Sequence, residues 1–152
     1  RIGVVAYAGR ARPAGGGGGG GGKREAYYRF GADASLNLAH ANLAVAWLMA
    51  RDANALWTDE GEDDTVTWSG GFAELSYLPL VNLVGFARYD RVNAPDFSGR
   101  DIDRMTLGGR WYFEDNVAVH AEFSRRTVAH DPRLTGTDAT ESFFTTRLDV
   151  AF

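Results

Sequence analysis

The sequence contains no cysteine, which removes disulfide frameworks, thiolate metal sites and cysteine nucleophiles together. It suits an exported chain and a cytosolic one alike. Lysine is almost absent as well: fifteen of the sixteen basic residues are arginine, and Lys23 is the exception. The formal net charge is −4 and the pI about 5.3, so the chain has no global attraction for nucleic acid and none is expected as a partner. No apolar run approaches the roughly 18 residues that a membrane helix needs, and mean hydropathy is slightly negative. A barrel strand, which shows only every second residue to lipid, would not register on either measure. A helical period of useful length is missing too. No export signal is visible, and a start at Arg1 without Met reads as a processed or trimmed chain.

What the chain does have is alternation. Tyr28, Phe30, Ala32, Ala34, Leu36 and Leu38 alternate with Tyr27, Arg29, Gly31, Asp33, Ser35 and Asn37; a period of two over this length is a strand with one apolar and one polar face. After a tight turn near Ala39-His40 it resumes, with Leu43, Val45, Trp47 and Met49 against Ala44, Ala46, Leu48, Ala50 and Asp52. Further strands set Ala73, Leu75 and Tyr77 against Phe72, Glu74 and Ser76, and Leu83, Gly85, Ala87 and Tyr89 against Val84, Phe86, Arg88 and Asp90. Met105, Leu107, Gly109, Trp111 and Phe113 alternate with Arg104, Thr106, Gly108, Arg110 and Tyr112. Val117, Val119, Ala121 and Phe123 then oppose Ala118, His120, Glu122 and Ser124, and Phe144, Thr146, Leu148, Val150 and Phe152 oppose Phe143, Thr145, Arg147, Asp149 and Ala151. With a first strand near Ile2 to Gly9, eight strands are expected, in an all-β, antiparallel up-and-down arrangement.

The connections sort by length. Three are short, at 39–42, 79–82 and 114–116, and four are long and polar, at about 10–26, 52–65, 92–102 and 128–142. Short turns at one end and long loops at the other are the habit of a transmembrane β-barrel, with the long loops outside the cell; a soluble sandwich has no reason to sort them so. The whole chain, 1–152, reads as one barrel domain or barrel segment, with a flexible Gly-rich extracellular loop at 11–26.

Apparent motifs have plainer readings. Gly15 to Gly22 followed by Lys23 fits the spacing of a phosphate-cradling loop, but Arg24 stands where a Mg²⁺-binding Ser or Thr belongs and a strand follows where a helix should begin. Asp52, Asp59, Glu60, Glu62, Asp63 and Asp64 supply oxygen ligands without the Gly-punctuated register of a calcium loop, so a solvated loop is expected. His40, His120 and His130 are scattered over a turn, a strand and a loop, and no metal site is expected. Glu74 and Asp90 alone do not make an acid–base pair, and no Gly-x-Ser-x-Gly accompanies His120. No Cys-x-x-Cys-His is present to attach haem. Neither an enzyme nor a cofactor is expected.

The polar strand faces carry the functional expectation. Arg29, Arg88, Arg104, Arg110, Arg126 and Arg147, with Asp33, Glu74, Asp90, Glu122 and Asp149, all fall opposite the apolar series. In a narrow closed barrel they would fill the interior as ion pairs; in a wider one they would line a watery pore. Arg88 and Asp90, and Arg147 and Asp149, lie two apart on one strand face, about 7 Å, within reach of pairing.

The segment Phe144-Thr-Thr-Arg-Leu-Asp-Val-Ala-Phe152 resembles the C-terminal strand of bacterial outer-membrane proteins, in which alternating apolar residues end in an aromatic read by the insertion machinery. Ala87-Arg-Tyr-Asp-Arg-Val92 and Gly109-Arg-Trp-Tyr-Phe-Glu-Asp-Asn-Val117 resemble strand and turn pieces of porins of the general and phosphate-selective kind. The resemblance implies a Gram-negative outer-membrane location and an insertion signal at Phe144, Leu148, Val150 and Phe152. It implies outer-membrane lipid and the insertion machinery as partners, and leaves room for a homo-oligomer or another outer-membrane component. Two architectures stay open: a self-contained eight-stranded barrel acting structurally or in adhesion or protection through its loops, and, preferred, the C-terminal part of a larger porin passing small polar solutes or ions.

Overall fold

The computed structural model describes residues 1–11, 25–53, 65–94, 101–129 and 138–150. These form eight strands: β1 (Ile2–Ala11), β2 (Glu25–Leu38), β3 (Ala41–Asp52), β4 (Val66–Leu80), β5 (Leu83–Asn93), β6 (Ile102–Glu114), β7 (Val117–Val128) and β8 (Ala139–Val150). Each pairs antiparallel with its sequence neighbours in one sheet of order β1 to β8. The fold is the expected antiparallel up-and-down β-sheet of a porin-type barrel, and the described residues contain no helix.

The turns are tighter than the alternation suggested. Each of the three short connections narrows to two residues, Ala39-His40, Val81-Asn82 and Asp115-Asn116. Ala39 takes the left-handed backbone region, φ +35°, which lets a two-residue hairpin follow the strand twist. The register shifts between Tyr77 and Leu80 and between Tyr112 and Glu114. Pro79, which has no N–H to give a ladder, falls inside the first of these irregularities.

At the other end the strands run further than expected. Arg10, Ala26, Val92, Asn93, Val128 and Glu141 all belong to ladders and not to loops. The backbone supplies the reason, because hydrogen bonding between strands continues past the point where apolar side chains stop. The Gly15 to Gly22 run, the acidic residues from Asp59 to Asp64, His130 and Phe152 lie outside the described residues.

Burial is inverted relative to a soluble domain. The buried hydrophobic residues among those described are Ala50, Val66, Ala94 and Ala118, and no large side chain is fully enclosed. Leu43, Val45, Trp47, Met105, Leu107, Trp111, Val119, Leu148 and Val150 stand exposed on one face, as do Leu36, Leu75 and Phe144. A continuous apolar surface of this extent needs a non-aqueous neighbour, and a bilayer supplies one. Large side chains on this face oppose small ones in places: Trp47 sits across from Gly71, where a Cβ would strike the Ala46 carbonyl.

The sheet does not close on itself, since β1 pairs only with β2 and β8 only with β7. A self-contained eight-stranded barrel requires β1 to pair with β8, and that pairing is absent from the described ladders.

Candidate functional site

The second face of the sheet is charged from one end to the other. At its centre, Arg88 lies in register with Glu74 on β4 and Thr106 on β6. Its Nε and Nη2 donate to Asp90 Oδ1 at 2.9 and 2.7 Å, and its Nη1 reaches Glu74 Oε2 at 3.4 Å. Strand alternation sets Arg88 and Asp90 side by side, while pairing brings Glu74 across. The guanidinium also lies 3.9 Å from the centroid of the Phe72 ring, a cation–π contact that fixes its plane. Asp90 turns its other oxygen toward Arg104 Nε at 3.9 Å.

Near the long-loop end a second cluster gathers around Arg29. Its two terminal nitrogens donate to the two oxygens of Asp52 at 2.6 and 3.2 Å, a fork-on-fork pair. The Trp68 indole N–H donates to the same carboxylate at 3.4 Å. The rings of Tyr7, Tyr27 and Trp68 surround the guanidinium at 5.9, 5.3 and 5.8 Å. Asp52 is buried, so its charge is held by these groups and not by bulk water.

Toward the short-turn end, Asp149 takes Arg147 Nε at 2.6 Å and lies 3.3 Å from Arg110 Nη2. Arg110 also donates to the Tyr112 hydroxyl at 3.3 Å. His120 Nε2 meets Glu122 at 3.1 Å, and on β7 and β8 Arg126 pairs with Glu141 at 2.6 Å. Two buried nitrogens have no hydrogen-bond partner among the described residues, His120 Nδ1 and Arg126 Nε.

All eleven charged residues singled out by alternation therefore share one face. Arg29, Glu74, Arg88, Asp90, Arg104, Arg110, Glu122, Arg126, Arg147 and Asp149 each have a partner of opposite charge or a histidine. Asp33 has none among the described residues; it stands opposite Gly3, where no side chain competes for its space. Asp52, given above as a loop ligand, belongs to β3 and to Arg29, because its place at the end of the Ala44 to Ala50 series points it to the charged face. Glu141 was missed, though extending the Phe143 series back by two residues reaches it.

Among the described side chains of the strands, six arginines thus face seven carboxylates: Asp33, Asp52, Glu74, Asp90, Glu122, Glu141 and Asp149. The balance is global but not local. Arg104 and Arg126 are directly opposite each other in the β6–β7 ladder, an arrangement of like charges that is unfavourable unless anions or water attend it. They border a cleft of about 540 Å³, together with Asp33, Leu48, Phe72 and Asp90. No group of three or more His, Asp or Glu among the described residues is placed to hold a metal ion.

No curated protein and no solved structure matches the chain. The family model for "Phosphate-selective porin O and P" matches residues 25–152, which takes in β2 to β8 and so both faces of nearly the whole sheet. An exposed apolar face, a charged opposite face, and turns and loops sorted to opposite ends agree with that match, and the chain belongs to the phosphate-selective porin O and P family, outer-membrane porins of Gram-negative bacteria.

Proposed function

We propose that the charged face lines a water-filled channel through which small polar solutes and ions cross the outer membrane without catalysis. The observation that carries this reading is the charged face itself. It runs the length of the strands, its ion pairs remain partly exposed, with Arg104 and Arg147 side chains 51% and 58% accessible, and the sheet does not wrap around it. Unpaired strand edges inside a bilayer cost several kcal/mol per exposed backbone group, so the wall is completed along β1 and β8 in a barrel wider than eight strands. The eleven charged residues from Arg29 to Asp149 then line the pore. The family's description names phosphate, and the opposed Arg104 and Arg126 are where an anion would gain most on this wall. In the full-length protein, the swelling of liposomes in small polar solutes tests the proposal: swelling well above that of empty liposomes is expected, and swelling equal to theirs would refute it.

A further inference from the structure

The apolar face carries few charges, and their placement is not random. Among the described residues its cationic side chains are Arg10, Arg51, Arg91 and Arg125, one on each odd-numbered strand and each near the long-loop end. All four are exposed. The short-turn end of the same face is formed by Leu38, Tyr77, Trp111, Phe113, Leu148 and Val150 and has no charge. Asp103 shares the face, where it takes the Tyr89 hydroxyl and lies 4.0 Å from Arg91, and Asp101, just ahead of β6, takes Asn93 Nδ2 at 3.0 Å. Arg10, Arg51 and Arg125 have no partner among the described residues.

The four positions do not fall on one hydrogen-bond row. Arg10 faces Ala26, which meets Ala53, two residues beyond Arg51. Arg91 lines up through Gly71 with Trp47, four residues before Arg51. Across Asp103 it lines up with Thr127, two residues beyond Arg125. The guanidinium position therefore drops eight residues over six strand steps. With about 3.3 Å per residue and about 4.8 Å between strands, that stagger matches a strand tilt of about 40°, the tilt of outer-membrane barrels. Tilted strands turn a diagonal on the sheet into a level line in the membrane, so the four arginines stand at one height. Tyr28, Trp47 and Tyr89 lie beside and beneath them, as interfacial aromatics do.

We infer that Arg10, Arg51, Arg91 and Arg125 form a basic collar that binds the phosphate groups of the phosphorylated glycolipids in the outer leaflet. This rests on the outer-membrane reading with the long loops outside. Charge complementarity commits the collar to that partner: three guanidinium groups with no partner among the described residues and one shared with Asp103, level at the headgroup depth, face a leaflet whose headgroups carry phosphate. Arginine offers a planar fork that fits phosphate in a bidentate manner. The collar lies on the opposite face from the ion pairs of the channel wall, so binding there leaves conduction untouched.

The test places the full-length protein in phosphatidylcholine vesicles doped with lipid A and follows tryptophan quenching by brominated phosphatidylcholine. The quenching lost in Trp47→Phe reports the collar end and that lost in Trp111→Phe the uncharged end, the signal of Trp57, Trp68 and any other tryptophan being common to both variants. Lipid A should displace the quencher from Trp47 about tenfold better than unlabelled phosphatidylcholine does, with no preference at Trp111. Replacing all four arginines by Gln should abolish the preference, and replacing them by Lys should retain part of it. Equal displacement by dephosphorylated lipid A, read on the unaltered collar and so independent of how the Gln variant folds, would overturn the proposal. So would a preference equal at both ends. Conductance of the four-Gln variant should equal that of the parent; loss of lipid preference with conductance intact separates the collar from the channel, and a parent that conducts no ions would fault the channel reading alone.

Discussion

At the scale of single residues, arginine is used in two chemically different settings. Arg29 and Asp52 are nearly enclosed, with 22% and 12% of their side chains accessible, so neither charge is rescued by water if the other is removed. Arg29→Ala should cost about 1–3 kcal/mol, because it leaves Asp52 desolvated with only the Trp68 indole as donor. Arg147, by contrast, is largely exposed beside Asp149, and Arg147→Ala should cost under about 1 kcal/mol. Urea unfolding of both variants in vesicles checks the contrast; equal losses would mean that enclosure does not govern these pairs. The set of charges on the polar face was legible from alternation alone, including the Arg88–Asp90 and Arg147–Asp149 pairs. The aromatic ring set around Arg29 was not, since Tyr7, Tyr27 and Trp68 come from three strands whose pairing sequence period does not give.

At the scale of the element, every strand has a lipid side and a charged side, and a substitution's cost follows the side. Leu107 is exposed on the apolar face mid-strand, so Leu107→Arg should lose about 2–4 kcal/mol in bilayers. Thr145→Arg, exposed on the charged face of β8, should lose much less; equal losses would show that the faces are misassigned. Thr106 makes a poorer control because it is buried between Arg88 and Ser124. Packing also constrains Gly108, where a Cβ would strike the Phe86 ring that lies across from it. Gly108→Val should cost about 1–3 kcal/mol by overpacking, read from the same unfolding curves. Strand centres were legible because apolar and polar residues alternate there. Strand ends were not: Arg10, Asn93 and Glu141 are the polar residues by which one recognises a loop, yet their backbones remain in the ladder.

At the scale of the whole molecule, the ends of the sheet differ as its faces do. Two-residue turns close one end, and the connections at the other are long, so a peptide tag inserted after Glu60 should be reached by antibody on intact cells and one after Asp115 should not. The reverse labelling would invert the orientation and remove the outer leaflet from the collar's reach. The up-and-down order was legible from the spacing of strands and turns, whereas alternation leaves both an eight-stranded and a larger barrel open, because closure depends on pairing between strands that it does not define. On our proposal the charged face is the wall of an open channel. The most direct measurement is the planar-bilayer conductance and reversal potential, in a salt gradient, of the full-length protein and of its Arg104→Ala, Arg126→Ala double variant. An open channel gives a conducting parent whose selectivity moves toward cations in the variant while thermal unfolding changes little. A silent parent whose variant unfolds earlier would contradict it, and would make these charges the packing of a closed interior.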